Sequence, residues 1–227
     1  MVSLPLSVRA VAFDLDGTLL DTLPDIAAAG ERMLQQLGRP PAGEAAVRSY
    51  IGNGIPRLTK RLLTGTMDGE PPPELFDRAL ALFEQNYRAT LSVHTRAFPG
   101  VEEGLRRFRA SGFPLACITN KAQAFTLPLL EETGLLDAFA LVLSGDSLSK
   151  KKPDPLPLLH CAQRLGTEPA QMLFVGDSGA DVRAARAAGC PVFCVSYGYS
   201  NGQVQDLDCD AIVKDLIEAT GLVRLAN

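Results

Sequence analysis

Two acids stand either side of Leu15 in Asp14-Leu15-Asp16, directly behind an apolar run and directly ahead of Gly17-Thr18. Carboxylates this close repel each other, and each resists ionisation unless a cation lies between them. If the backbone stays extended, both side chains face the same crevice, and a divalent metal is the natural third party. Gly17 lets the main chain turn tightly against a ligand. A second stretch, Leu173 to Asp181, also runs from apolar residues into an acid, Asp177, with glycines on either side. Asp181 falls in the first turn of the helix predicted next, where negative charge is favoured. A helix cap would account for Asp181, but not for Asp177. Between these lie two neutral or basic stretches. Cys117-Ile118-Thr119-Asn120 ends an apolar run on a hydroxyl and an amide, which can donate to a phosphoryl oxygen without adding charge. In Lys150-Lys151-Lys152-Pro153-Asp154-Pro155 the prolines restrict the backbone around Lys152, and a fixed ammonium suits a transferring phosphoryl group.

Such groups need a scaffold that delivers them to one edge. The run from Val8 to Phe13, broken by Arg9 alone, predicts a strand buried on both faces, with Asp14 at its carboxyl end. That is the edge at which open parallel sheets bind ligands. From Pro99-Gly100 onward strands and helices alternate: strands are predicted at Phe113 to Ile118, Leu141 to Leu143, Met172 to Val175, Val192 to Val195 and Ala211 to Val213. Alternation of this kind predicts a parallel α/β sheet covered on both sides. The stretch before it differs. Helices are predicted over Pro24 to Leu37, Glu44 to Tyr50, Ile55 to Leu63 and Pro73 to Ala89, with no strand among them, so they read as an inserted lobe.

The chain has 227 residues, 46% hydrophobic and 21% charged, enough for a core plus an insertion. A net charge of -4 leaves no global basic surface for a nucleic acid polymer, although a local field can still hold a small anion. Five cysteines, with no CxxC pair, fit packing residues in a reducing cytoplasm. The opening residues lack the features of a signal peptide, and no apolar span is long enough for a membrane helix.

The stretch DLDGTLLDT resembles the first motif of the haloacid dehalogenase superfamily, in its phosphatase branch, and Thr119-Asn120, Lys152-Pro153 and GDSGAD follow in the order of that family's remaining motifs. The resemblance implies a Rossmann-like doubly wound core over residues 1–21 and 96–227, with a helical cap over 22–95. It also implies roles: Asp14 as nucleophile, Asp16 as general acid and base, Thr119 and Lys152 on the phosphoryl oxygens, with Gly17, Thr18 and Asn120 beside them. Mg2+ would be held by Asp14, Asp177 and the backbone carbonyl of Asp16, with Asp181 supporting from behind. Lys150 and Lys151 are left as surface charges. The second acid separates the phosphatases from the dehalogenases, whose leaving halide needs no proton.

The partner implied is a small phosphorylated metabolite, met by a monomer or a homodimer. Between Ala45 and Gly65 no acid occurs, while Arg48, Arg57, Lys60 and Arg61 do, so a locally basic lobe could meet an anion; Gly52, Asn53, Gly54 and Arg57 are its candidate contacts. IGNG at Ile51 to Gly54 and YGYSNG at Tyr197 to Gly202 resemble the bacterial phosphoglycolate phosphatases, whose substrate carries a carboxylate beside its phosphate. N-acetylmuramic acid 6-phosphate, nucleoside monophosphates, pyrophosphate, sugar phosphates and a phosphomutase reaction stay open, as does a binding protein on the same fold without turnover.

Overall fold

A computed structural model of the chain describes residues 4–199 and 204–226. Its centre is a six-stranded parallel sheet. The strands are β2 (Ala10–Phe13), β5 (Leu115–Ile118), β6 (Leu141–Leu143), β7 (Met172–Gly176), β8 (Val192–Val195) and β9 (Ala211–Val213), in the spatial order β6-β5-β2-β7-β8-β9. The sequence order reverses on either side of β2, so β2 and its neighbours β5 and β7 flank the crevice where polar loops leave the sheet.

Every residue of β2, β5, β7 and β8 is buried, as continuous apolar runs require. Their alternate residues face opposite layers. Val11, Phe13, Leu115, Cys117, Leu173 and Val175 pack with α5 (Val101–Ala110), α6 (Gln123–Glu132) and α9 (Leu216–Gly221). Ala10, Ala12, Ala116, Ile118 and Phe174 pack with α7 (Leu156–Arg164) and α8 (Gly179–Ala188). On the first face Phe13 meets Phe108 edge-on at 5.7 Å between ring centres, which anchors the strand immediately behind Asp14.

The predicted strand at Val8 to Phe13 is divided. Leu6–Val8 (β1) pairs instead with Val223–Leu225 (β10) in a separate two-stranded sheet, and the central strand starts at Ala10. The helical lobe is entered and left through a short antiparallel pair, β3 (Leu20–Asp21) and β4 (Arg96–Ala97), in which Asp21 lies opposite Arg96. Between them run α1 (Leu23–Gln36), α2 (Glu44–Tyr50), α3 (Ile55–Thr64) and α4 (Pro73–Ala89), packed on one another. Their apolar residues, including Met33, Leu62 and Phe83, are continuous with the first core layer. Tyr87 of α4 joins the two parts, its ring 5.2 Å from that of Phe125 on α6. All five cysteines are free thiols, and among the described residues no helix is long and apolar enough to cross a membrane.

The return of the lobe is fixed by a buried acid. Asp25, fully inaccessible on the first turn of α1, accepts hydrogen bonds from the backbone N–H groups of His94 and Thr95 and from the Thr95 hydroxyl, at 2.7 to 3.0 Å. Removing the acceptor leaves these donors unsatisfied in an apolar setting. Asp25→Ala therefore lowers the unfolding free energy by roughly 2–4 kcal/mol in urea denaturation, and a loss under about 0.5 kcal/mol contradicts the clamp.

Candidate active site

Asp14 is the residue after β2, and its backbone N–H donates to the Val175 carbonyl at 2.9 Å, which pins it to the tip of β7. Asp177 follows the end of β7, and Asp181 lies one turn into α8. One carboxylate oxygen from each of Asp14, Asp177 and Asp181 lies within 4.8 Å of the other two, all three side chains being buried. Lys152 bridges two of them, its Nζ 2.7 Å from Asp14 Oδ1 and 2.7 Å from Asp181 Oδ1.

These contacts set the electrostatics. Burial, then the neighbouring Asp181, pushes the Asp14 carboxyl up to about 7 despite the opposing Lys152. Asp177 is raised well above the ordinary carboxylate range by burial and by Asp181 and Asp14. Burial works against the charge of Lys152, but Asp14 and Asp181 outweigh it, so the ammonium is held charged. Three acids against one ammonium leave the centre electron-rich, and an oxygen-only donor set of this kind fits a hard divalent cation.

The surrounding contacts fix each carboxylate. Asp181 Oδ2 accepts from the backbone N–H and hydroxyl of Ser178, at 3.0 and 2.7 Å, closing a capping box on α8. Asp177 Oδ2 accepts the backbone N–H of Tyr199 at 2.6 Å, and Thr18, fully buried, donates to Asp177 Oδ1 at 3.4 Å. Gly17 is required at its position: its φ is +88°, and a Cβ there would fall 2.5 Å from Asp177 Oδ2.

Asp16 lines the same cavity as Asp14 but is bound by different partners. Its carboxylate is outside the trio; both oxygens accept from Lys121 Nζ at 2.9 Å, and Oδ1 accepts from the Thr22 hydroxyl at 2.7 Å. The tight turn at Gly17, with Gly17 N–H donating to the Leu20 carbonyl, redirects the chain after Leu15. Lys121 is 4% exposed; burial works against its charge, but Asp16 and Tyr87 together outweigh it, and its Nζ stands 5.0 Å from the centre of the Tyr87 ring. Sequence reasoning passed over Lys121, although it directly follows Thr119-Asn120. It also passed over Tyr199 as a link, whose hydroxyl donates to Asp21 at 2.6 Å and accepts the Leu23 N–H at 2.9 Å.

A cavity of about 430 Å³ opens onto the centre, lined by Asp14, Asp16, Gly52, Asn53, Gly54, Thr119, Asn120 and Asp177 among the expected residues, and by Lys121, Arg183 and Tyr199 besides. Lys152, Asp181 and Thr18 are buried behind that lining. Its upper wall is apolar, from Ile26, Ile51, Ile55, Leu58 and Met67. The glycine loop is held down on the core: Asn120 Nδ2 donates to the carbonyls of Gly52 and Lys152 at 2.9 Å, and Lys151, exposed as expected, donates to the Asn53 carbonyl at 2.9 Å. Gly54, at φ +84°, passes so close that a Cβ would lie 3.1 Å from the Asn120 carbonyl oxygen.

The basic lobe is spent on other partners. Arg57 pairs with Asp68 and Glu70 at 2.7 and 2.8 Å, and Lys60 with Glu70 at 2.5 Å. Arg61 donates to Tyr50 O, Asn53 Oδ1 and Met67 O, and Arg48 to Gly198 O. None of the four lines the cavity. Of the YGYSNG stretch, Ser200, Asn201 and Gly202 lie outside the described residues.

A carboxyl raised on folding binds its proton more tightly in the native than in the unfolded chain, so it contributes stability at low pH that is lost as pH rises toward its native value. With Asp14 raised from 3.8 to about 7, the stability of Asp14→Asn relative to the unmodified chain, both in chelator, climbs as pH goes from about 4 to about 7 and then levels. Thermal unfolding across that range checks it, and a flat or falling difference contradicts the crowding.

A model of the haloacid dehalogenase-like hydrolases matches residues 8–189. The chain is 58% identical over 224 residues to a phosphoglycolate phosphatase of Nitrosospira multiformis, covering 98% of this chain and 99% of that one. It is 56% identical over 227 residues to a phosphoglycolate phosphatase of Thiobacillus denitrificans, covering all of both. Among solved structures, a predicted phosphoglycolate phosphatase from Haemophilus somnus superposes with a TM-score of 0.89 at 34% identity, over 93% of this chain and 96% of that one. Asp14, Thr119 and Asp177 at the strand tips and Lys152 in its loop all fall inside the matched region, and the chain belongs to the haloacid dehalogenase-like hydrolase family.

Proposed function

We propose that this protein is a magnesium-dependent phosphomonoester hydrolase that works through an aspartyl phosphate on Asp14, with 2-phosphoglycolate as its substrate. The observation that carries the reading is Asp14 itself: a buried carboxylate at a strand tip, paired with Lys152, beside two further buried acids and open to a cavity. The relatives in Nitrosospira and Thiobacillus support the choice of substrate by name and by full-length similarity.

Asp14, Asp177 and the main-chain carbonyl of Asp16 would hold Mg2+, with Asp181 fixed beside them through Lys152. When bound, the ion offsets the negative charge of the acids and of the incoming phosphate. Asp14 attacks phosphorus, the bond to the leaving oxygen breaks, and Asp16, protonated, hands its proton to the alkoxide. Asp16 then takes a proton from water, whose oxygen attacks phosphorus, releasing phosphate and restoring the Asp14 carboxylate. Thr119 and the Lys152 ammonium receive the phosphoryl oxygens as charge shifts between them. The helices of residues 22–95 act as a cap, closed over the ester by the Asn120 and Lys151 contacts to the glycine loop. The free, mostly buried thiols fit a reducing cytoplasm.

Phosphate release from 2-phosphoglycolate requires Mg2+, stops in chelator, and falls by at least about 10³-fold in kcat for Asp14→Asn. Against N-acetylmuramic acid 6-phosphate, nucleoside monophosphates and pyrophosphate, 2-phosphoglycolate gives the highest kcat/KM. A low rank for it overturns the substrate, and absence of metal-dependent turnover on every ester overturns the enzyme.

A further inference from the structure

We propose that Lys121 is the specificity-determining residue that receives the carboxylate of the substrate, and that it does so by exchanging Asp16 for it. The inference rests on the 2-phosphoglycolate reading and deepens it. A substrate with an anion at each end needs a second cation within reach of the first, because its carboxylate is separated from the bridging oxygen by one carbon. The phosphoryl end occupies Asp14, Thr119 and Lys152, and Lys152 is already shared between two acids.

The helical lobe does not provide that cation. Arg48, Arg57, Lys60 and Arg61 have protein partners and do not themselves line the cavity; Arg61 is spent on Asn53 and Arg48 sits over the Tyr199 ring. Two cationic side chains line the cavity among the described residues, Lys121 and Arg183. Arg183 is exposed to solvent, where water and salt screen a charge pair to little net effect. Lys121 is 4% exposed, and in so desolvated a position an ion pair discriminates strongly between a carboxylate and a neutral group. It lies two residues beyond Thr119 on the same loop, so the two ends of one small molecule are met by one short segment.

The present partner of Lys121 supplies the second half of the argument. Its Nζ is 2.9 Å from both oxygens of Asp16, and Thr22 holds one of these from the other side. A carboxylate gripped in this way is not free to turn toward a leaving oxygen. When a substrate carboxylate takes its place, Lys121 stays paired, and Asp16, released beside the ester bond it must serve, takes up a proton from solvent water, which keeps the charge balance and arms it as the acid. The Tyr87 ring backs the ammonium at 5.0 Å, so the lysine stays put while its partners change. An ester without the carboxylate lacks this lever and leaves Asp16 where it is. Selectivity then comes from productive orientation of the acid as well as from binding.

The experiment compares 2-phosphoglycolate with ethyl phosphate, which has a methyl group in place of the carboxylate, in the unmodified enzyme and in Lys121→Met and Lys121→Gln. The inference expects the ratio of their kcat/KM values to fall by about 30-fold or more in both variants, through kcat as well as KM. A ratio that stays within about threefold overturns it, as does an equal loss on both esters. An unmodified enzyme indifferent to the carboxylate overturns the substrate reading and the inference together, whereas a preference that survives in the variants overturns the inference alone. A second measurement needs no variant: a crystal structure with the inert analogue 3-phosphonopropionate. The expected result is the carboxylate of the analogue on Lys121 with Asp16 turned away from it; a carboxylate bound by Arg183, with the Lys121 pair to Asp16 intact, overturns the exchange.

Discussion

Three buried acids pressed against one buried ammonium are the constraint from which the rest of this molecule can be read. Asp14, Asp177 and Asp181 come from two strand tips and the first turn of a helix, and Lys152 from a separate loop, so four parts of the chain must meet. Packed apolar surface holds them there, since their mutual repulsion would otherwise drive them apart. Phe13 against Phe108, the wholly buried strands β2 and β7, and the capping box on α8 supply the rigidity. The repulsion stored in that crowding is what makes the centre receptive to a divalent cation and, with it, to a phosphate.

A second ion pair, Lys121 with Asp16, stands apart from the first and balances its own charge. The separation matters because it lets two adjacent acids do different things. Leu15 turns into the core, Asp14 faces the trio, and Asp16 is drawn off by Lys121 and Thr22. Tyr199 ties the trio to the helical lobe, with its N–H on Asp177 and its hydroxyl on Asp21 at the root of that lobe. The root of the helical lobe and the acids are therefore held by one residue.

Much of this was legible in the residues. The helices at Glu44–Tyr50 and Pro73–Ala89 and the strands at Leu141–Leu143 and Val192–Val195 stand at their predicted bounds, because apolar periodicity and flanking glycines or prolines agree there. The strands outside the central sheet were not legible: β3, β4, β1 and β10 exist through pairing between distant segments, which local pattern does not carry. The different partners of the Asp14 and Asp16 side chains were hidden for a similar reason, since the lysine that draws Asp16 aside is 105 residues away. The basic reading of the lobe stopped at Gly65, three residues short of Asp68, and so missed the acids that neutralise Arg57 and Lys60. Charge counted along a sequence window says little about charge facing a cavity.

The most direct test of the central claim is calorimetric titration of Mg2+ into the metal-free protein at neutral pH. One ion binds per chain, with affinity lost in Asp177→Asn and the fold retained. Binding that is absent from the unmodified protein, or that is unchanged by Asp177→Asn, would contradict it.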